Sequence, residues 1–341
     1  MKYRRLGKTG LEVSVIGFGG IPIQRIPADE AIPLVNNALD SGINFFDTAR
    51  GYTDSEAKLG LVLKERRSEA IIATKSMART SQEMAADIKK SLTTLGVEYI
   101  DLYQLHNIKQ QSELNEVLKP DGALAALKEA KEEGFIKHIG ITGHIKNILV
   151  EALDCEDFET VQFPFNAVEV SESNVLMEVA RQKDLGVIAM KPLAGGALQY
   201  TELALRYLLE HPVSAVIPGM DSLDQVFQNV LVGNNPESLS DNERKTLGDE
   251  VEKLGGSFCR RCEYCQPCPQ EVSIPTVFLL DGYFTRYHLQ CWAKERYQGL
   301  SVKADQCIQC GECEDKCPYH LPIRQMLREA SVRLGGERKD Y

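Results

Sequence analysis

The chain has 341 residues, which is long enough for one large core plus a smaller module. Its 39 basic and 49 acidic residues give a net charge of -10, which argues against non-specific binding to nucleic acid or to membranes. An apolar fraction of 43% is ordinary for a globular protein and argues against wholesale disorder. No apolar segment follows the charged N-terminus and no apolar run reaches membrane-spanning length, so we expect a cytoplasmic protein without a membrane partner.

Residues 2–18 predict a small β-hairpin, because a Gly-Lys-Thr-Gly turn separates two short strand-like pieces. From about residue 13 onward, short apolar runs alternate with amphipathic helical stretches. Helices are predicted over residues 28–41, 55–67, 81–95, 122–133, 145–153, 173–183 and 202–210. Strands are predicted to end near residues 47, 74, 105, 141, 163, 189 and 217. About eight strand–helix units predict an α/β fold of the (β/α)8 TIM-barrel type rather than an open sheet.

Three consecutive predicted strands lead into ionisable side chains. Asp47 ends the first strand, Lys75 follows the second and His106 follows the third. Tyr52 lies in the loop after Asp47, and Ser55 is expected to cap the next helix. Because the C-terminal ends of the strands of a parallel barrel meet at one rim, these side chains predict a proton-transfer site there.

The composition changes near residue 255, and we place a domain boundary there. Residues 1–255 form the predicted barrel, residues 256–333 a second and mainly helical domain, and residues 334–341 a tail. Eight of the ten cysteines lie in two runs beyond this boundary. The first run contains Cys259, Cys262, Cys265 and Cys268, and the second contains Cys307, Cys310, Cys313 and Cys317. The other two, Cys155 and Cys291, stand alone and are expected to be buried apolar side chains.

Clustered cysteines in a chain without an export signal indicate metal ligands rather than disulfides. Each run ends in Cys-Pro, and the second has the spacing of a bacterial ferredoxin run for a [4Fe–4S] cluster. The first run has one residue fewer before its last cysteine. Zinc also takes four thiolates from paired Cys-x2-Cys motifs, so it remains the competing metal, although two runs that end in Cys-Pro favour iron–sulfur.

Short motifs spread over residues 1–250 resemble the aldo-keto reductase family. The matching segments are Phe46-Asp47-Thr48-Ala49, Gly51-Tyr52, Thr74-Lys75, Gln104-Leu105-His106, Gln162-Phe163-Pro164-Phe165-Asn166, Lys191-Pro192-Leu193 and Ile217-Pro218-Gly219. The resemblance implies a nicotinamide-dependent enzyme that interconverts a small aldehyde or ketone and its alcohol. It further implies that Tyr52 is the general acid, that Lys75 lowers its pKa and that Asp47 holds Lys75. His106 would then orient the substrate carbonyl.

The same resemblance implies the groups that bind the nicotinamide cofactor. They are Thr142, Gln162, Asn166, Pro192, Leu193, Gly195, Gly196, Pro218, Gly219, Ser222, Gln225 and Asn229. Much of the family places cationic side chains around the adenosine 2′-phosphate, whereas the matching positions here are Gly219, Met220 and Gln225. A dianionic phosphate without cationic partners binds weakly, so NADH as well as NADPH is an expected cofactor.

The cysteine segment resembles a two-cluster ferredoxin module appended to an aldo-keto reductase, an arrangement that forms a subgroup of its own. That resemblance implies two [4Fe–4S] clusters in which the last cysteine of each run serves the neighbouring cluster. Cys317 would then complete the set Cys259, Cys262 and Cys265, and Cys268 would complete the set Cys307, Cys310 and Cys313.

A hydride carries two electrons in one step, whereas a [4Fe–4S] cluster carries one, and no flavin motif is evident, although a barrel can bind FMN without one. The clusters are therefore expected to be structural, to exchange electrons with a ferredoxin-like partner or to sense redox state. We favour a reductase with an electron-transfer module. The alternative is a nicotinamide or redox sensor with little turnover.

Overall fold

The computed structural model describes residues 1–170, 173–261, 264–287, 289–317 and 319–335. It opens with an antiparallel hairpin of β1 (Tyr3–Arg5) and β2 (Glu12–Ser14). Eight parallel strands follow: β3 (Phe18–Gly19), β4 (Phe45–Asp47), β5 (Ile71–Ser76), β6 (Ile100–Leu105), β7 (Ile136–Thr142), β8 (Thr160–Pro164), β9 (Gly186–Met190) and β10 (Ala215–Ile217). The predicted hairpin and the predicted strand count are both confirmed.

The sheet runs in sequence order from β3 to β10, so each strand pairs with its neighbours along the chain. Parallel bridges from Ile16 to Val216 and from Gly19 to Gly219 join the last strand to the first and close the barrel. The closure is tight, because a Cβ on Gly19 would lie 2.7 Å from the carbonyl oxygen of Pro218. The predicted TIM-barrel fold is thereby confirmed.

Helices separate the strands. In the barrel part they are α1 (Ala28–Asp40), α2 (Ser55–Leu63), α3 (Ser81–Leu95), α4 (Gln111–Val117), α5 (Ala123–Glu132), α6 (Lys146–Ala152), α7 (Asn174–Gln182), α8 (Thr201–Leu209) and α9 (Leu223–Asn234). Seven of these nine helices were predicted from the sequence to within a few residues, whereas no range was predicted for α9 and the short α4 was not predicted at all. Its assignment of Ser55 as a helix cap is wrong: Ser55 is the first residue of α2, and its hydroxyl donates to the carbonyl of Gly20.

The hairpin covers the N-terminal end of the barrel. Leu6 and Val13 are fully buried and belong to one apolar cluster with residues from the strands, among them Phe45, Ala73 and Leu102. These strand residues lie before the polar side chains at the C-terminal ends of the same strands. The N-terminal end is therefore closed by apolar packing, and the opposite end is where the polar groups collect.

The chain forms two compact units, Met1–Pro192 with Tyr200–Ser240, and Leu193–Gln199 with Asp241–Tyr341. The second unit carries α10 (Asp241–Gly255), α11 (Ile274–Thr285), α12 (Gln290–Gln298), α13 (Glu312–Asp315) and α14 (Ile323–Gly335). Its core combines apolar side chains from α11 and α14 with the buried cysteines Cys265, Cys313 and Cys317. The mainly helical second region is confirmed, and the domain boundary near residue 255 stays a prediction. Within the described residues, no helix is long and apolar enough to cross a membrane.

Candidate active site

Asp47 and Lys75 form a buried ion pair at the C-terminal end of the barrel. The Lys75 Nζ lies 2.7 and 2.8 Å from the two Asp47 carboxylate oxygens, and it also donates to the carbonyl of Thr48 at 2.7 Å. Lys75 is only 1% exposed and Asp47 only 3%. Burial raises the pKa of Asp47 and lowers the pKa of Lys75, and in both cases the partner opposes that shift.

The strand register explains this pairing. Asp47 of β4 lies opposite Ala73 of β5, so Lys75 is two residues further along its strand and on the same face. Its long side chain reaches back to the carboxylate at the end of the neighbouring strand. Two residues that are 28 positions apart in sequence are brought into contact in this way.

A second buried polar pair adjoins the ion pair. The Gln162 amide in β8 hydrogen-bonds the Asp47 carboxylate and thereby counteracts the rise of its pKa. Gln162 Oε1 in turn accepts from Gln104 Nε2 of β6 at 2.8 Å. The carboxylate therefore has hydrogen-bond partners from two other strands, as a buried charge requires.

The rings of Tyr52 and His106 meet above this ion pair. Their centroids are 6.0 Å apart and the rings are nearly perpendicular, at 85°. The Lys75 Nζ lies 5.1 Å from the centroid of the Tyr52 ring. The structure thus brings together all four side chains predicted for the proton-transfer site.

His106 is held in its neutral form. Burial and, secondarily, the positive charges of Lys75 and other cations lower the pKa of His106 to about 3. Its backbone N–H donates to the carbonyl of Ser76 at 2.9 Å, which fixes the start of the loop. The Nδ1 atom is buried and has no hydrogen-bond partner among the described residues. A neutral imidazole keeps one N–H donor and one acceptor, so the ring can donate to a substrate oxygen.

The site also includes residues that the sequence analysis did not single out. Glu56 is a buried carboxylate that pairs with Arg50, in the loop between Asp47 and Tyr52. Arg79 donates to the carbonyls of His106 and Asn107, each at 3.1 Å. No sequence signal marks these contacts, because the partners are separated by irregular distances along the chain.

Three of the residues predicted to bind the cofactor lie within or shortly after β7 and β8. Thr142 is buried, and its hydroxyl accepts from the backbone N–H of Asn107 at 2.9 Å. Gln162 belongs to the network already described. The Asn166 amide is engaged within the protein: its Nδ2 donates to Glu169 at 2.7 Å and its Oδ1 accepts from the backbone of Val168 at 3.0 Å.

The predicted cofactor residues after β9 and β10 also lie beyond strand C-terminal ends. They are Pro192, Pro218, Gly219, Ser222, Gln225 and Asn229. Ser222 is the N-cap of α9, and its hydroxyl accepts from the backbone N–H of Gln225 at 3.3 Å. The Gln225 side chain accepts from the backbone N–H of Asp221 at 2.7 Å, and Asp221 pairs with Arg25 at 2.9 Å.

The remaining predicted cofactor residues, Leu193, Gly195 and Gly196, belong to the second compact unit. Both glycines have positive φ angles, 67° and 77°, which side chains rarely adopt. The Gly195 carbonyl accepts from Nε of Arg286 at 3.1 Å. This contact fixes the glycine loop within the second unit.

Seven of the eight cysteines in the two runs are described, and they surround two pockets of the second unit. One pocket is lined by Cys265, Cys268, Cys307, Cys310 and Cys313. The other is lined by Cys259, Cys265 and Cys317. Cys262 lies outside the described residues. Among the residues that are described, no three His, Cys, Asp or Glu side chains converge on a single-ion site.

The lone cysteines differ from expectation. Cys291 is exposed and Cys155 is half-buried, so neither is the buried apolar side chain that was predicted. Cys291 is the second residue of α12, at the start of a helix whose buried residues are Ala293 and Tyr297.

Two family models match the chain. Residues 15–202 match the aldo/keto reductase family, and residues 258–322 match the 4Fe-4S dicluster domain. The second match favours iron–sulfur over zinc for the cysteine region. The two matches cover the segments whose motifs carried the resemblances, apart from Ile217-Pro218-Gly219, which lies beyond residue 202.

Individual proteins give the same result. The chain is 32% identical over 305 residues to L-galactose dehydrogenase of Arabidopsis thaliana, covering 74% of this chain and 94% of that relative. It is 32% identical over 227 residues to 6-dehydroglucose reductase of Novosphingobium aromaticivorans, covering 59% of this chain and 72% of that relative. Among solved structures, a holo-form aldo-keto reductase of Bacillus halodurans is 27% identical with a TM-score of 0.63, over 74% of this chain and 96% of that one. The protein therefore belongs to the aldo/keto reductase family of oxidoreductases and carries a C-terminal 4Fe-4S dicluster domain.

Proposed function

We propose that the protein interconverts a small carbonyl compound and its alcohol, with Tyr52 as the group that gives or takes the proton. The observation that carries this proposal is the convergence of Tyr52, the Lys75–Asp47 ion pair and a neutral His106 at the C-terminal end of the barrel. In barrels of this type the chemistry takes place at that end.

In the reducing direction, the Tyr52 hydroxyl donates its proton to the carbonyl oxygen. An unassisted phenol is a weak acid at neutral pH, with a pKa near 10. The Lys75 ammonium, 5.1 Å from the ring centroid, favours the phenolate and so assists proton release. Asp47 keeps the ammonium in place. His106 donates a hydrogen bond to the same carbonyl oxygen and orients it.

Nicotinamide binding is the second part of the proposal. When bound, NADH or NADPH supplies the hydride that reduces the carbonyl carbon. Polar side chains of β7 and β8, Thr142 and Gln162, would face the nicotinamide, and the capped N-terminus of α9 would face a phosphate. We further propose that NADH serves as well as NADPH. The side chain at position 225 is an uncharged amide, and the nearby cation, Arg25, is paired with the Asp221 carboxylate.

The cysteine region would hold two [4Fe–4S] clusters. The residues present fit them, because thiol-bearing side chains surround two separate pockets. Cys307, Cys310, Cys313 and Cys268 line one pocket, Cys259 and Cys317 line the other, and Cys265 borders both. Each pocket thus has cysteines of both runs around it, which supports ligation of each cluster by both runs. Cys262 would complete the second set. When bound, such clusters carry single electrons, so the proposed partner is a ferredoxin-like protein. Because free thiols are required, we place the protein in the reducing cytoplasm.

The substrate class follows from the relatives rather than from the site. Two of them are named for sugar chemistry, as a dehydrogenase of L-galactose and a reductase of 6-dehydroglucose. Sugars and their oxidised forms are therefore the first compounds to assay with this protein.

The Tyr52→Phe variant tests the proposal. It removes the hydroxyl that donates the proton and leaves the ring in place, so turnover of any active carbonyl substrate should fall by about 10²–10⁴-fold. Nicotinamide binding, measured by fluorescence titration, should be unchanged. Tyr3→Phe is the matched control, because Tyr3 is exposed in the hairpin and its hydroxyl donates only to the carbonyl of Gly42 among the contacts described. If Tyr52→Phe turned over as fast as Tyr3→Phe, the assigned role would be wrong. Tight cofactor binding with negligible turnover in the unaltered protein would instead favour the sensor.

A further inference from the structure

Glu56 is a buried carboxylate with three hydrogen-bond donors around it. It lies in the first turn of α2 and is 2% exposed. One oxygen accepts from the Thr74 hydroxyl at 2.7 Å and from the Ser91 hydroxyl at 2.9 Å. The other oxygen accepts from the Arg50 guanidinium. Burying a carboxylate costs free energy unless donors pair with it, and these three donors supply that pairing for Glu56.

Two of these three donors adjoin residues of the active site. Arg50 lies in the loop that leads from Asp47 to Tyr52, and its backbone N–H donates to the carbonyl of Lys75 at 3.0 Å. Thr74 immediately precedes Lys75 in β5. A single carboxylate therefore connects the loop that carries Tyr52 to the strand that carries Lys75.

Several further hydrogen bonds lie within this loop. The backbone N–H of Tyr52 donates to the carbonyl of Ala49 at 3.0 Å, and that of Ser55 donates to the carbonyl of Tyr52 at 2.7 Å. The Ser55 and Thr48 hydroxyls are 2.8 Å apart and hold the two ends of the loop together. These bonds fix the shape of the turn. Thr48 joins the start of the loop to β5, because its N–H donates to the carbonyl of Ala73 at 2.8 Å and its carbonyl accepts from Lys75 Nζ at 2.7 Å. Arg50 makes the connection to β5 nearer to Tyr52.

We propose that Glu56 is a positioning residue: through Arg50 and Thr74 it sets the distance between the Tyr52 hydroxyl and the Lys75 ammonium. The inference rests on the proposed role of Tyr52. As positioning residues, neither Glu56 nor Arg50 contacts the substrate. Their effect on the rate arises because a displacement of about 1 Å in a reacting group can cost about 100-fold in turnover.

The first test is Glu56→Gln, which keeps the size of the side chain and removes its charge. We expect kcat to fall about 10- to 100-fold while KM for the carbonyl compound and for the nicotinamide stays within about twofold. The alkaline limb of the kcat–pH profile should move to higher pH, because a phenol further from Lys75 is less acidic. A merely structural role for Glu56 would not move that limb.

The matched control is Glu69→Gln. Glu69 also pairs with an arginine, Arg66, at 2.6 Å, but that pair is on the surface. Exposed pairs of this kind contribute little, so kcat, KM and the pH profile should all be unchanged. In the companion variant Arg50→Gln we expect the same loss as in Glu56→Gln, and the double variant should be no worse than either single one.

If Glu56→Gln does not fold, Thr74→Val tests the same connection. It removes one hydrogen bond to Glu56 and leaves the ion pair with Arg50 intact, so a smaller fall in kcat at unchanged KM is expected. The inference is overturned if Glu56→Gln, or Thr74→Val in its place, behaves like Glu69→Gln. Tyr52→Phe separates this failure from a failure of the proposed function. If that variant is inactive while Glu56→Gln is fully active, only the positioning role is wrong.

Discussion

The barrel site and the cysteine region are assembled in opposite ways. In the barrel, Asp47, Lys75 and His106 come from three strands, and contact depends on the register of a closed sheet. In the second unit, the cysteines of each run are separated by only two or three residues, so a short turn brings them together. The barrel site therefore depends on long-range strand pairing, and the cysteine region on local spacing.

The two sites also differ in what satisfies their polar groups. Asp47 and Lys75 satisfy each other, with help from Gln162, before any ligand arrives. The cysteines face pockets, and Cys310 is exposed. We therefore expect protein groups alone to preorganise the barrel site. In the cysteine region, we expect bound inorganic clusters to hold the cysteines in place.

The largest expected effect is the loss of one cluster in Cys310→Ser. The unaltered protein, purified without oxygen, should hold about eight iron atoms and about eight sulfides per chain, and this variant about four of each. If the two sites are independent, nicotinamide-dependent carbonyl reduction should stay within about twofold. Iron and sulfide analysis alongside the rate tests both statements.

Cys291→Ser is the control for that experiment, because Cys291 is an exposed cysteine outside the two runs. It should keep all its iron. An undiminished iron content in Cys310→Ser would refute the proposed ligand set. If Cys310→Ser lost carbonyl reduction together with the iron, the barrel site would depend on the cluster and the two sites would not be independent.

A change in cofactor preference is the next largest effect. Gln225→Arg places a cation near the expected 2′-phosphate and should raise the kcat/KM ratio of NADPH to NADH roughly tenfold, the scale of one charge-assisted hydrogen bond of about 1.5 kcal/mol. Steady-state rates with both cofactors measure it.

Phe227→Arg introduces the same charge at an exposed position of the same helix. It should leave the cofactor ratio unchanged. Equal effects of the two arginines would show that net charge, rather than position 225, decides the preference.

The smallest effect concerns pH. Because burial and nearby cations lower the pKa of His106 to about 3, kcat/KM should show no inflection near pH 6.5, where a free histidine titrates. An inflection there that disappears in His106→Asn would contradict a neutral, preorganised ring.

The same group links stability to pH. The unfolded chain protonates His106 near pH 6.5 and the folded one only near pH 3, so the folded state binds fewer protons in between. The stabilisation of the folded state that His106 contributes is fully present above pH 6.5 and is lost as the pH falls towards 3. Urea unfolding at pH 7 and pH 5 should therefore show a larger loss of stability in the unaltered protein than in His106→Asn.

The failed expectations share one cause. Ser55 is a residue type that often caps helices, yet its hydroxyl hydrogen-bonds the carbonyl of Gly20 and the hydroxyl of Thr48. Cys291 has an apolar character, yet it lies on the exposed side of α12. In both cases the residue type indicated a local preference, and the tertiary surroundings decided the hydrogen-bond partners of Ser55 and the exposure of Cys291.

By itself, the sequence determined the order of strands and helices, the barrel fold, the four candidate catalytic side chains and the two cysteine runs. These depend on periodicity and spacing, which are local properties of the chain. Only the tertiary structure decided that Lys75 reaches back to Asp47, that Gln162 adjoins the pair and that Glu56 connects the Tyr52 loop to β5. Such contacts depend on strand register and burial, which bring together side chains at separations that no local pattern records.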